Sequence, residues 1–398
     1  FYLAAGLMRL AGITPFVLRL TSAFLGMLGV ALTYWLARQL FAVGGVDERE
    51  RRWLALFSAG LVAVSYWQVN LSRFGYRAIV LPPLLSLCFG SLLRGLRTPL
   101  GRGAVIAPSG DTGIAPSGGE MTSPLRRWVP WAWIAAAGAW AGLSAYTSSS
   151  VRVLPILLLL VWIWVLVADR RRGRLRVGQL LVFGAVALLV FAPLGLYFLR
   201  HPETFTVRLD QVSVSSPAVH KGDPWGTLWR TARLALGMVT RAGDRNPLYN
   251  YPGKPVFDRV LGVFFYLGLT LCAWGLLAPH SMARFVPWMP APPQSTGAHA
   301  EREDPPNSPS DLRSAPQFPN LPFCLLLAWL LVMMIPNVLS ASGVPHNLRA
   351  MAHVPALYIV AATGIVTTVE WLTRWIGWGE RGLPWRHVSW RRDPGREG

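Results

Sequence analysis

Runs of about 20 apolar residues, cut by short arginine-rich stretches, dominate the chain. A helix of that length crosses a hydrocarbon core of about 30 Å. Nine spans are expected, at about 18–42, 53–70, 78–95, 128–147, 151–168, 177–199, 257–278, 321–340 and 349–373. Ahead of them, residues 1–12 are apolar but too short to span, and Thr14-Pro15 ends them. An interfacial helix, or the end of a span begun upstream of Phe1, accounts for that opening. Two flexible inserts, 97–127 and 279–320, are rich in Pro, Gly and Ser, and the first repeats IAPSG at 106–110 and 114–118. The fold class is therefore all-α, a polytopic transmembrane helix bundle forming one domain over 1–398, with a basic tail at 374–398.

One long polar stretch interrupts the apolar pattern, at 200–256. Within it, Asp223-Pro224 reads as a helix N-cap followed by proline at the first helical position. Trp225, Leu228, Trp229, Ala232, Leu236 and Val239 then recur at helical spacing, which predicts an interfacial helix over 224–239. Gly243-Asp244, Asn246-Pro247 and Pro252-Gly253 are turn signals. Elsewhere, Gly138 and Gly142 are four apart in the fourth span and suit close helix contact.

Composition agrees with the pattern. The 398 residues are 53% hydrophobic and 14% charged, against about 25% charged in a soluble protein, and the mean hydropathy is +0.38. The net charge of +19 raises the question of nucleic acid. The arginines lie in short loops between spans, not on a basic surface interleaved with aromatics, so no nucleic-acid partner is expected. One alternate set of connections (43–52, 94–127, 169–176, 279–320 and the tail) holds 22 Lys and Arg; the other holds 12, eight of them in the long loop. The positive-inside rule makes the first set cytoplasmic. The 200–256 loop, SRFGYRA, TSSSVR and the HNLR turn then face outside a plasma membrane. Trp53, Trp67, Trp128, Trp131, Trp371 and Trp375 fall near span ends, as an aromatic belt would. Cys88, Cys272 and Cys324 lie in apolar runs without paired spacing, which indicates neither disulfide nor zinc.

Chemistry on the outward face has few carriers. Its carboxylates are Glu203, Asp210, Asp223, Asp244 and Asp258. Asp223 is accounted for by capping, and Asp210 pairs in sequence with Arg208. Asp244 is the one catalytic candidate, although local turn hydrogen bonding explains an Asp at that position equally simply. Arg73 and Arg77 bracket the turn between the second and third spans, and share a face if a helix runs through both. With His346 and Arg349 at the start of the ninth span, they form a clamp for a lipid phosphate; interfacial snorkelling is the competing reading. His201, Arg208, Asp244 and Arg245 complete the expected substrate-binding set from the long loop. No Walker loop, HExxH, dinucleotide fingerprint or GxSxG occurs, no metal ligands are assigned, and a divalent cation is the one cofactor left open.

Several stretches together resemble the polytopic C-type glycosyltransferases of the protein-mannosyltransferase-like group (glycosyltransferase family 39, including RgtA/B/C/D-like domains). They are RLTSAFLGMLGVALTYWLARQLF at 19–41, ALFSAGLVAVSYWQVNLSRFGYRAIVLPPL at 55–84, HPETFTVRLDQVS, GDRNPLYNYPGKPVFD and PHNLRAMAHVPALYIVAATGI. FYLAAGLMRLAG is similar to the helix after that family's first outer loop. The resemblance implies an enzyme moving a sugar from a polyprenyl-phosphate donor to a glycan, lipid or protein acceptor at the cell envelope. It also implies catalytic acids in a first outer loop, which would precede Phe1. Where many members carry an acidic residue after the third span's Ser-Arg, this chain reads Phe74-Gly75-Tyr76-Arg77-Ala78. A transporter or flippase for lipid-linked sugars, and a non-catalytic membrane scaffold, are the alternatives.

Overall fold

The computed structural model describes residues 2–98, 125–202, 214, 216–220, 222–278, 281–282, 285–289, 318–341 and 343–376. Glu203, Arg208, Asp210, most of both inserts and the tail beyond 376 lie outside the described residues. The regular elements are helices: α1 (Tyr2–Ala11), α2 (Pro15–Val43), α3 (Glu48–Val64), α4 (Tyr66–Arg73), α5 (Leu81–Arg97) and α6 (Leu125–Ser144). After them come α7 (Leu154–Ala168), α8 (Gly173–Arg200), α9 (Pro224–Gly237), α10 (Arg259–Leu277), α11 (Leu321–Val338) and α12 (Val354–Trp375). Short turns lead into α5, α7 and α12, at Arg77–Val80, Ser149–Val153 and Asn347–His353.

The caps follow the sequence. Thr14 Oγ1 accepts from Val17 N at 3.3 Å, and Pro15 opens α2. Asp223 Oδ1 accepts from Gly226 N, and Asp258 Oδ1 from Leu261 N, both at 2.8 Å. The expected interfacial helix forms as α9, with Trp225, Trp229 and Leu236 exposed on one face and Thr231 and Ala235 buried on the other. Thr231 Oγ1 donates to Val338 O at 2.7 Å and ties α9 to the end of α11.

Among the described residues, seven helices are long and apolar enough to cross a membrane, and α3 with α4 makes an eighth candidate bent by 53°. Two of the nine expected spans are thus modified. The run at 53–70 is broken at Ser65, whose extended backbone ends α3 and caps α4; its hydroxyl bonds Tyr358 Oη of α12. The run at 128–147 becomes α6, a 20-residue helix below the required apolarity, because it is built from Trp, Ala and Gly more than Leu or Ile. It packs between α5 and α8. The aromatic belt also loses a member, since Trp67 is buried in the core at 3% exposure while Trp128 and Trp375 are exposed.

The connections sort onto two ends of the bundle as the arginine pattern predicts. At one end Arg176 Nη1 donates to Leu96 O and stacks over Phe318, while Phe41 packs on Trp288. Arg176, 2% exposed, is neutralised by Asp169 Oδ2 at 2.9 Å and bonded to Gln179 Oε1 at 2.8 Å. At the other end the 65–77 segment meets 249–254, and 149–153 meets the 347–350 turn.

The core lies around α12, which is buried along nearly its whole length. α10 and α12 approach through a reciprocal glycine contact. A Cβ on Gly268 would fall 1.9 Å from Val360 O, and one on Gly364 would fall 2.0 Å from Phe264 O. The expected contact of Gly138 and Gly142 is made on α8, where added Cβ atoms would fall 2.4 Å from Phe183 O and 2.7 Å from Ala187 O. Small residues drive such packing where lipid removes the hydrophobic incentive. Gly364→Leu should therefore lower stability by about 3 kcal/mol, an overpacking cost against unyielding backbone. Gly184→Ala, whose Cβ meets nothing within 4 Å, should be neutral or stabilising by up to about 1 kcal/mol. Thermal unfolding in detergent separates the two outcomes.

Candidate functional site

The second end of the bundle gathers most of the expected site residues around Asp244. The turn after α9 reads Gly243-Asp244-Arg245-Asn246, and its carboxylate is 4% exposed. Asp244 Oδ1 accepts from Asn246 N at 2.9 Å, the local turn bond its position predicts. Its Oδ2 accepts from Asn347 N at 2.9 Å, across 103 positions of sequence. Asn250, also buried, braces the turn by donating Nδ2 to Asp244 O at 3.0 Å and to Lys254 O at 2.7 Å. Asn347 returns the contact by donating Nδ2 to Tyr249 O at 3.1 Å. The segment 243–254 is thereby fastened onto the lead-in of α12.

Aromatic contacts extend this junction to the α4–α5 turn. Tyr249 stacks on the His346 imidazole, with ring centroids 5.2 Å apart, and presents an edge contact to Tyr76 at 5.3 Å. Lys254 Nζ lies 5.3 Å over the Tyr66 ring. Burial and the neighbouring Tyr249 hold the Tyr76 hydroxyl above the usual tyrosine range. His346 Nδ1 stands 3.9 Å from Asp244 Oδ2 and is buried without a hydrogen-bond partner, as is Asn347 Oδ1. A buried acceptor or donor left in that state marks a place for a ligand or water group. Beside the junction, an open groove of about 400 Å³ runs between α9 and the 341–344 loop, lined by Thr227, Arg230, Thr231, Leu234, Gly343 and Val344.

Of the sequence-predicted residues, Asp244, Arg245, His346 and Arg349 fall in this junction, with Arg245 exposed and Arg349 partly buried. Arg73 and Arg77 are exposed on the adjoining turn, but no helix runs through both: α4 ends at Arg73, and Gly75 takes a left-handed φ of +75° before Arg77. The condition for a shared helix face is therefore not met. His201 is the exposed C-cap of α8, its ring 4.9 Å from Tyr197. Arg208 is outside the described residues. Sequence reasoning missed Tyr76, Tyr249, Asn250 and Asn347, which carry no charge and no motif; only the turn-rich spacing around Asn246-Pro247 hinted at them. Among the described residues no three His, Cys, Asp or Glu side chains gather as a metal requires.

No family model matches the chain, and no curated protein matches it. Among solved structures it is similar to the crystal structure of ArnT from Cupriavidus metallidurans bound to undecaprenyl phosphate, at 17% identity and a TM-score of 0.47. The match covers 95% of this chain and 51% of that one, so the chain spans about half that protein's length. A likeness this distant assigns no activity.

Two outcomes follow from the geometry. Asp244→Ala removes a charged acceptor from one buried and one partly buried backbone N–H group, each such bond being worth about 1.5–3 kcal/mol. The 243–254 segment should lose amide-exchange protection, with the junction weakened by about 3 kcal/mol. His346 is held below the usual histidine range by burial first and Arg349 second, against the pull of Asp244. The unfolded chain therefore binds this proton more readily than the folded one. Stability is full above the ordinary value of 6.5 and falls as pH drops through the folded value. Thermal unfolding at pH 7.5 and 5 should show that loss, and His346→Gln should flatten it.

Proposed function

We propose that the chain is part of a membrane glycosyltransferase that moves a sugar from a polyprenyl-phosphate donor to an acceptor at the extracytoplasmic face. The observation that carries this reading is the junction itself. It sets guanidiniums of Arg77, Arg245 and Arg349, the Lys254 ammonium and unpartnered polar atoms of His346 and Asn347 around one end of a lipid-facing bundle. Next to it, α9 exposes Trp225 and Trp229 on one face, which suits a helix lying among headgroups. The resemblance of segments 19–41, 55–84 and 345–365 to the protein-mannosyltransferase-like group supports the same reading.

In this reading the acceptor oxygen bonds to the anomeric carbon as the bond from that carbon to the phosphate oxygen breaks. Arginines at 73, 77 and 349 stabilise the charge left on the lipid phosphate, guanidinium being suited to paired phosphate oxygens. Neutral His346 accepts a hydrogen bond through Nδ1 from a sugar or acceptor hydroxyl, and the groove beside α9 holds the sugar ring. Asp244 organises the loop, because both its oxygens already accept backbone N–H groups. The other described carboxylates of this end, Asp223 and Asp258, cap helices. The base that takes the acceptor proton is thus assigned outside the described residues, where Glu203 and Asp210 of the same loop also lie.

The 53° break at Ser65 favours a second reading, a flippase for lipid-linked sugars, since broken spans line transport sites. The two readings separate in proteoliposomes carrying the full-length protein. With a fluorescent polyprenyl-phosphate sugar and an acceptor extract, Arg73→Ala/Arg77→Ala should lower transfer at least about tenfold, the scale of one lost charged contact. Unchanged transfer removes these arginines from the clamp. Donor translocation without transfer selects the flippase.

A further inference from the structure

The opposite end of the bundle holds a concentration of positive charge that the proposed reaction does not use. Glu48, at the start of α3, is shared by three guanidiniums: Arg38 from α2, Arg51 one turn on, and Arg52, whose Nε lies 2.9 Å away. One carboxylate neutralises one of them. Arg97, at the end of α5, lies in electrostatic range of Arg38, Arg51 and Arg94 across the same corner. Arg49 also belongs to this corner, as do Asp47, which caps α3 through Arg49 N at 3.1 Å, and Glu50. Among these described side chains, six guanidiniums thus stand with three carboxylates. The Arg51 Nε is buried with no hydrogen-bond acceptor.

The cations are also held in place. Arg94 stacks over Trp133 at 4.5 Å, and Arg38 lies 5.9 Å from the Tyr34 ring. A fixed guanidinium loses little freedom on taking a second acceptor, and its fork matches two oxygens of a phosphate. The helix ends that carry these side chains are span ends, the depth at which a lipid phosphate sits.

We propose that Arg38, Arg51, Arg52 and Arg97 form an anion site for a phosphate group on the face opposite Asp244, supplied by an anionic lipid headgroup or by free phosphate. The Arg51 Nε–H and the surplus guanidinium edges around Glu48 donate to the phosphate oxygens. Native mass spectrometry tests this on the full-length protein in detergent with equimolar phosphatidylglycerol and phosphatidylcholine, whose ammonium cancels its phosphate charge. Phosphatidylglycerol should be retained selectively. Arg51→Gln/Arg97→Gln should reduce that retention at least tenfold, whereas Arg170→Gln/Arg171→Gln, an equal charge loss from an exposed loop of the same end, should leave it unchanged. Equal retention of both lipids, or equal loss in both double variants, overturns the site. If the first double variant fails to fold, Arg51→Lys keeps the charge without the fork and should still lower retention several-fold; unaltered retention overturns the proposal. Displacement by millimolar inorganic phosphate identifies the soluble anion as the ligand, and persistence identifies the headgroup.

Discussion

α12 is enclosed along nearly its whole length, and small residues on part of its surface let a neighbouring backbone approach closely. Ala356, Ala361, Ala362, Thr363, Gly364 and Thr367 are all buried in α12, and Gly364 lets the α10 backbone come to contact distance. In lipid the gain from such packing is close contact itself, since tails are as apolar as leucine. The hydroxyls do not break this economy. Thr363 and Thr367 return their protons to carbonyls one turn earlier, and Thr367 also accepts from Trp288 Nε1 at 2.9 Å. A helix fixed this firmly defines where its lead-in begins, and the lead-in is the floor of the candidate site.

That lead-in is one α-turn at Asn347–Ala350 followed by a tighter 3-10 turn at Met351–His353, and a change of helix type leaves carbonyls for other groups to meet. Its carbonyls are met by side chains of α11 and by its own histidine: Trp329 Nε1 donates to Ala352 O at 2.8 Å, and His353 Nδ1 lies 3.0 Å from Ala350 O. Asn347 N is met from the other direction by Asp244. The loop and the last span therefore order each other. A buried carboxylate without these N–H donors would be costly, and a lead-in without the carboxylate would leave a buried donor unpaired.

The bundle was readable from the sequence because lipid imposes length and apolarity on each span separately. Thr14-Pro15, Asp223-Pro224 and the Gly138–Gly142 pair were readable for a similar reason: each acts within a turn or two of itself. The break at Ser65 was not readable, because ALFSAGLVAVSYWQ keeps an apolar composition through it, and the hydroxyl that Ser65 meets there belongs to Tyr358, 293 positions away. Asp244 was readable only by half. Its Oδ1 obeys the local turn rule, whereas its Oδ2 partner is a backbone N–H that no side-chain pattern announces. Arg73 and Arg77 show the same limit, since their four-residue spacing means a shared face only if the intervening glycine is helical, and Gly75 is not.

The two ends of the bundle use most of their carboxylates differently, Asp47 being a helix cap at the α2–α3 end as well, and this bears on what each end can attract. At the α2–α3 end, Glu48 and Asp169 are drawn into ion pairs with guanidiniums. Their number still falls short of the arginines, so the excess is a property of side chains packed among themselves. At the Asp244 end, Asp223, Asp244 and Asp258 each accept backbone N–H groups at turns or helix starts. Committed to holding the backbone, they are poorly placed to act as mobile acids or bases. The cations at that end are therefore arranged by a loop fastened to the backbone, and what the loop arranges is a polar seat at one end of the bundle.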